Sequence, residues 1–452
     1  MSTSVTRMSL SWSLRAGALT AALCSVLVSP AGAQDAPTPS RADGPVPAVG
    51  VPLPAVGTAA EVSAATPTGR LARSLDGVAA RSYADTFGGV WVDEARSTVT
   101  LYLTRPELGA ALVSAGRGQL AAHDGADVNV VVKGAKYNRE QLDAARDAVQ
   151  HDATVWRHDG SVAIEQIGLL EGGGGLRIGA DRPERAAALA ERVLADGSRA
   201  GKPAWGGVAL ADIRFEKSAP ARTPRSTPRK QAAEAFAAAD VGSRWNDKPA
   251  HDGGAILSLT RHEWWCTSGF AMDVPGWGRY MVTSAGCGPT GTYLYSGFQD
   301  FGPLFNRVPE IDTAIIDTRG TGGSSARVWI GENEKTYAGY EKSTPGDEVC
   351  QSGVRTGYRC QIFVGETTQV WTGDAYVDVT SACTRDGSAA FSIDDMGGPV
   401  FRWSSNPAKV ISRGIMNTFL GTVDSSGTAS TCVGFVPTRT ILDAWGATMA
   451  VG

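Results

Sequence analysis

The chain runs to 452 residues, 42% of them hydrophobic and 19% charged, with 55 glycines. That length accommodates two or three domains with real cores, and the glycine-rich, charge-poor balance suits a turn-rich β protein. A net charge of −4 argues against a nucleic-acid partner and against a polybasic membrane contact.

At the N-terminus, Arg7 and Arg15 supply a positive region, Ala16 to Val28 a short apolar stretch, and Ala31-Gly32-Ala33 a small-residue cleavage site. Residues 1–33 therefore read as a secretion signal, too short for a spanning helix. No later segment reaches about 18 uninterrupted apolar residues, so no membrane partner is expected. Cys24 follows Leu23, where a lipid-attachment site wants a small residue, and is removed rather than lipidated. Residues 34–68, rich in Ala, Pro, Gly and Thr without a sustained period, read as a disordered leader.

From 69 to 200 short strands alternate with helices. Val99-Thr-Leu-Tyr-Leu103 and Val128-Asn-Val-Val-Val132 are β-type runs. Asn138 and Gln141 form a capping pair ahead of Leu142, Ala145 and Val149 on one helical face. Strands are expected at Val162-Ala-Ile164 and Leu176-Arg-Ile178. A helix entered through Asp181 and Pro183 follows, with Leu189 and Val193 on one face and Gly197 at its end. This is a small α+β module without cysteine.

Residues 201–240 read as a linker. Pro220, Pro224 and Pro228 with Arg222, Arg225, Arg229 and Lys230 make it exposed, extended and open to proteolysis. From 241 to 452, β-type runs such as Arg279–Thr283, Thr313–Ile316 and Ala326–Ile330 are separated by glycine-rich turns, which suggests a sandwich or barrel. Ile441, Leu442 and Trp445 have helical spacing within a closing segment, Thr438 to Met449.

Six cysteines follow the signal: Cys266, Cys287, Cys350, Cys360, Cys383 and Cys432. An even number in a secreted chain points to three disulfides, with the pairing left open. There is no Cys-x-x-Cys pair and there are only five histidines, so neither a metal nor a cofactor is expected.

Four features of the C-terminal region, in one order over about 210 residues, resemble secreted bacterial chymotrypsin-like serine proteases of the streptogrisin and α-lytic protease group. Cys266-Thr-Ser-Gly-Phe270 leads through Pro275-Gly276 into Tyr280-Met-Val-Thr-Ser-Ala-Gly-Cys287. Asp312-Thr-Ala-Ile-Ile316 is similar to the strand bearing the family's triad aspartate. Val349-Cys-Gln-Ser-Gly-Val-Arg-Thr-Gly-Tyr-Arg-Cys360 is similar to a disulfide hairpin of streptogrisin-like members. Asp394-Asp-Met-Gly-Gly-Pro-Val400 resembles the Gly-Asp-Ser-Gly-Gly-Pro-Val loop that carries the nucleophile. The resemblance implies a double β-barrel of two six-stranded barrels and the pairs Cys266–Cys287, Cys350–Cys360 and Cys383–Cys432. It also implies that the 69–200 module is a propeptide-like domain, a partner within the same chain.

The chemistry departs from that pattern. Acyl transfer by this constellation needs a hydroxyl nucleophile, an imidazole base and an orienting carboxylate. Met396 stands at the serine and has no proton to surrender. Holding Cys287 on the family's cysteine puts Gly286 at the histidine, and a gap there deletes the base altogether. Asp312 keeps the acid position. The resemblance implies that Asp395 is the buried acid of the serine loop, able in the family to pair with a freed N-terminus; the residue read alone is a turn aspartate. The family's oxyanion donors would here be the backbone N–H groups of Asp394 and Met396, with a carboxylate where the family has glycine.

No substitute is evident. His251 and His262 both precede Cys266 and read as packing or surface histidines, since a base must lie within hydrogen-bond reach. Cys287 as nucleophile would strand Cys266, and Asp394 with Asp395, adjacent in a loop, would not converge on one reacting atom. In subtilisin, a different protease and a worked example of this effect, loss of nucleophile or base costs on the order of 10⁶ in turnover. The expectation is therefore a secreted, proteolytically inactive homologue that binds a peptide or protein ligand in the cleft between the barrels. The alternative is an active serine-type endopeptidase using an unrecognised pair, with Ser392 the nearest serine before Met396. A third reading makes the 69–200 module the active part, acting on a related protease.

Overall fold

Thr66 and Pro67 open the first helix, α1 (Pro67–Ser82). The threonine hydroxyl accepts from Gly69 N at 3.0 Å, and proline occupies the first turn, where its missing N–H costs nothing. Leu71, Leu75 and Val78 then fall on one buried face. The computed structural model describes residues 66–120, 127–199, 204–218, 229–230, 242–260, 263–264, 266–373, 375–423 and 429–452. The expected signal, almost all of the leader, and His262 lie outside these residues.

Strands β1 (Phe87–Asp93) and β2 (Thr98–Leu103) form a hairpin, and after α2 (Gly109–Gly118) β3 (Asn129–Gly134) pairs parallel with β2. Helix α3 (Arg139–His158) starts at the Asn138–Gln141 capping box. Strands β4 (Ile164–Leu170) and β5 (Gly175–Ala180) pair antiparallel, and α4 (Pro183–Arg199) and β6 (Ile213–Lys217) follow, with β6 parallel to β5.

Several boundaries differ from expectation. β4 begins at Ile164, so it shares only the last residue of Val162-Ala-Ile164 and runs on to Leu170. α4 continues past Gly197 to Arg199. An interior glycine costs only about 1 kcal/mol against alanine, less than a packed helix face recovers. The linker expected over 201–240 is too wide, because Trp205, Val208 and Ile213 bury themselves in the core beneath α3 and carry 204–217 into the folded module.

The remaining chain is almost entirely β. It opens with the short strands β7 (Arg229–Lys230), β8 (His251–Gly253), β9 (Ile256–Leu257), β10 (Glu263–Trp264) and β11 (Cys266–Thr267). β7, from the basic stretch, pairs antiparallel with β10. Next come β12 (Ala271–Val274), β13 (Gly278–Ser284), β14 (Tyr293–Ser296), β15 (Gln299–Val308), β16 (Thr313–Ile316), β17 (Ser324–Ile330) and β18 (Asn333–Tyr340). The second half contains β19 (Glu348–Gly353), β20 (Gly357–Trp371), β21 (Tyr376–Thr384), β22 (Phe391–Ser392), β23 (Pro399–Trp403), β24 (Lys409–Val423) and β25 (Ala429–Pro437). The chain ends in α5 (Thr438–Trp445) and β26 (Thr448–Met449). The closing helix stops short of Met449 because Gly446 turns left-handed at φ 56° and releases the chain to pair with β12.

The first half forms a six-stranded sheet in the order β14-β15-β16-β13-β12-β26. In the second half β25, β21, β20, β19, β23 and β24 pair in that order, and β24 returns to β25, so six strands close a barrel. This is the double-barrel architecture that the resemblance implied, preceded by the α+β region. Disulfides join Cys266 to Cys287, Cys350 to Cys360 and Cys383 to Cys432.

The α+β region is seated on the second barrel. β4 adds to β20 as a further antiparallel strand, with Ile167 opposite Gln369. Val92 N donates to Pro345 O at 2.7 Å, and a Cβ on Gly346 would collide with the Val92 carbonyl. The buried Glu341 carboxylate receives Arg413 from the barrel and Arg73 from α1, each at 2.7 Å.

Candidate functional site

The antiparallel register of β13 with β16 sets Ser284 opposite Thr313, and so brings the turn after β13 beside the residue before β16. That turn, Ala285–Cys287, carries Gly286, and the neighbouring residue is Asp312. Ala285 N donates to the Asp312 carbonyl at 3.2 Å. Gly286, the position expected to hold a base, and Asp312, the position expected to hold its acid, are therefore adjacent.

Asp312 is buried and takes a left-handed backbone, φ 42°. Its Oδ2 accepts from Ser284 Oγ at 3.1 Å and from Asn417 Nδ2 of β24 at 2.6 Å. Burial pushes the carboxyl up to about 7, and these hydrogen bonds pull it down only in part. The acid is thus satisfied by a hydroxyl and an amide, and Gly286 offers no side chain to compete with them.

Met396 lies where the loop between β22 and β23 approaches β11. Its side chain has no exposed surface and joins the core formed by Cys266, Cys287, Met281, Val400 and Met416. Its carbonyl accepts from Thr267 N at 2.8 Å. Its N–H points back to Ile393 O at 3.5 Å, closing the turn Ile393–Asp395. A donor engaged inside its own turn is not aimed at a developing oxyanion. Asp394 is buried too, and its carbonyl accepts from Thr267 Oγ1 at 3.0 Å.

The loop's glycines persist for packing reasons. Gly397 has φ 85°, and a Cβ there would collide with Thr283 Oγ1 and the Thr267 carbonyl. The Gly-Gly-Pro-Val backbone can therefore be kept by the fold with no nucleophile on it.

Asp395 is completely buried, but its partners are not a chain terminus. Oδ1 accepts from Arg355 N at 2.6 Å and Thr356 N at 3.1 Å, and Oδ2 from Thr356 Oγ1 at 2.8 Å and Ser392 N at 2.7 Å. Burial raises its carboxyl to about 6 despite these four donors. Its carboxylate is committed to the β19–β20 turn, away from any dyad with Asp394.

The other candidates are placed elsewhere. Cys287 is disulfide-bonded, and Ser392 is 3% exposed. His251 is buried, stacked on Phe301 at 4.3 Å, with Nδ1 3.1 Å from Asp247 Oδ2 and Nε2 3.0 Å from Asp300 O. It is a packing histidine, but an interior rather than a surface one. Among the described residues no group of three metal-ligating side chains converges. Sequence reasoning missed Ser284, Asn417 and Ile393. No local pattern marks Asn417, whose partner Asp312 lies 105 residues away.

No family model matches this chain, and no curated protein matches it. Solved structures do resemble it. A chymotrypsin from Cellulomonas bogoriensis is 21% identical, with 44% of this chain and 98% of that one covered and a TM-score of 0.35. Protease A of Thermobifida fusca is 22% identical over 44% and 98%, at a TM-score of 0.36. An α-lytic protease homologue, N4, is 23% identical over 44% and 97%, at 0.33. These structures are bacterial chymotrypsin-like serine proteases, and the fold given to this chain rests on its own strand pairings.

Proposed function

We propose that this chain is a secreted protein of chymotrypsin-like fold that does not cleave peptides and acts as a binding protein. The observation that carries the reading is the burial of Met396: the nucleophile position has become part of the hydrophobic core. Asp312, bonded to Ser284 and Asn417, and the inward-turned N–H of Met396 support it. A peptide or protein segment is the proposed ligand, held in the cleft between the barrels. The α+β region is proposed as a retained propeptide-like domain. Secretion is consistent with three disulfides, which persist in oxidising compartments. Among the described residues no helix is long and apolar enough to cross a membrane.

The test is a serine-reactive fluorophosphonate probe together with turnover of casein and a broad peptide panel. Neither labelling nor turnover is expected. Labelling that survives replacement of the surface serines by alanine, or turnover abolished by Ser392→Ala, would overturn the proposal in favour of an active endopeptidase.

A further inference from the structure

The chain just before β8 is built into the barrel region. Arg244 is buried, and its Nη2 donates to Gly254 O at 3.0 Å and to Gly353 O at 2.8 Å. Its own carbonyl accepts from Ile256 N at 2.9 Å. Trp245 packs against Ile256 and Val354. Asp247 N donates to Ser296 Oγ at 3.0 Å. The Asp247 carboxylate accepts from Trp329 Nε1 at 2.9 Å and from Asp252 N at 3.0 Å. Residues 242–252 thus tie the β14–β15 turn, β17 and the β19–β20 turn to one another.

The last of these turns holds the loop that bears Met396. Gly353 lies so close to Asp395 that a Cβ there would collide with the carboxylate. Just beyond it, Arg355 and Thr356 donate to that same carboxylate. A buried cation with two carbonyl partners, one in the turn between β8 and β9 and one at the end of β19, has little freedom to leave, because removing it takes a donor from each acceptor. Burial disfavours the Arg244 charge, and the nearby negative charge of Asp395 opposes that effect.

We propose that residues 242–252 form a permanent strap in which Arg244 is a positioning residue, locking the 353–356 turn and through it the Asp395–Met396 loop. The loop is then set in the uncut chain. A carboxylate has about four lone-pair sites, and donors already occupy all of them on Asp395, so a newly freed terminus would have to displace one. Cleavage within 219–240 leaves every strap contact in place and is not a conformational switch.

Hydrogen exchange on the full-length protein tests it, comparing intact protein with protein nicked in the linker by a low dose of trypsin. Amides of 350–360 and 390–400 are expected to exchange within about twofold of one another in the two forms. Arg244→Met is expected to speed both segments at least about tenfold while leaving β1–β3 unchanged, and Arg244→Lys to restore most of the protection. Altered exchange of 390–400 on nicking, wild-type exchange in Arg244→Met, or no rescue by lysine would each overturn the proposal. If the methionine variant does not fold, Arg244→Gln takes its place in the same comparison.

Discussion

Asn417 donates its Nδ2 to Asp312 Oδ2 at 2.6 Å, reaching from β24 to the residue that precedes β16. A buried carboxylate without a partner is costly. The amide, with Ser284 Oγ at 3.1 Å, offsets that cost. Persistence of the acid therefore does not signal persistence of the chemistry.

Restoring the two missing side chains should fail to restore proteolysis. In Gly286→His with Met396→Ser, the new imidazole meets a carboxylate already held by Ser284 and Asn417, and the N–H of residue 396 still closes its own turn. Loss of a single oxyanion donor costs about 10²–10³ in turnover by itself. Chromogenic peptide hydrolysis should stay at background. Measurable turnover would show that this centre rearranges readily.

Met396 should behave as a core residue. Met396→Ala is expected to cost about 2–5 kcal/mol of stability, since the side chain is wholly buried among apolar neighbours. Met396→Leu should cost less than about 1.5 kcal/mol. Urea unfolding measures both, and an alanine variant as stable as wild type would place the side chain outside the core.

Asp312 should make stability fall as pH rises. Burial lifts its carboxyl from 3.8 to about 7, so between those values the folded protein holds a proton that the unfolded chain releases. Its contribution is whole below 3.8 and lost as pH climbs through about 7. Asp395, raised to about 6, and Asp252, raised to about 7, chiefly by burial, act in the same direction. Unfolding free energy of wild type relative to Asp312→Asn should decline from about pH 4 to about pH 7 and level off above. A difference independent of pH would contradict this assignment.

Glu341 should be the most sensitive charge at the seat of the α+β region. It receives Arg73 and Arg413 at 2.7 Å, and the Arg413 side chain has no exposed surface. Glu341→Ala leaves a buried guanidinium with one acid fewer, a loss of about 3–5 kcal/mol when a buried pair is broken. Denaturant unfolding reads it directly. A change under about 1 kcal/mol would mean that Asp347, 3.3 Å from Arg413, suffices alone.

Much of this protein is legible in its sequence. The Asn138–Gln141 box, the alternation of Val99, Leu101 and Leu103, and the glycine turn before β13 each depend on residues a few positions apart. The order of the cysteines and of the Gly-Gly-Pro-Val loop likewise carried the double barrel and three disulfides. The same residues showed that serine and histidine are absent from their expected places.

Other features depend on residues far apart in the chain. The backing of Asp312 by Asn417, the return of the Met396 N–H to Ile393, and the addition of β4 to β20 have no local signature. Nor does the insertion of Arg244 beneath Gly353, 109 residues onward. Periodicity, capping and turn chemistry are short-range and can be read from neighbouring side chains. Which buried donor meets which acceptor depends on how closed sheets bring distant segments within hydrogen-bond reach, and only the packed structure decides that. The sequence by itself determined that Met396 and Gly286 stand at the positions the resemblance gives to a nucleophile and a base; the tertiary structure decided that Met396 packs in the core and that Asp312 is held by Ser284 and Asn417.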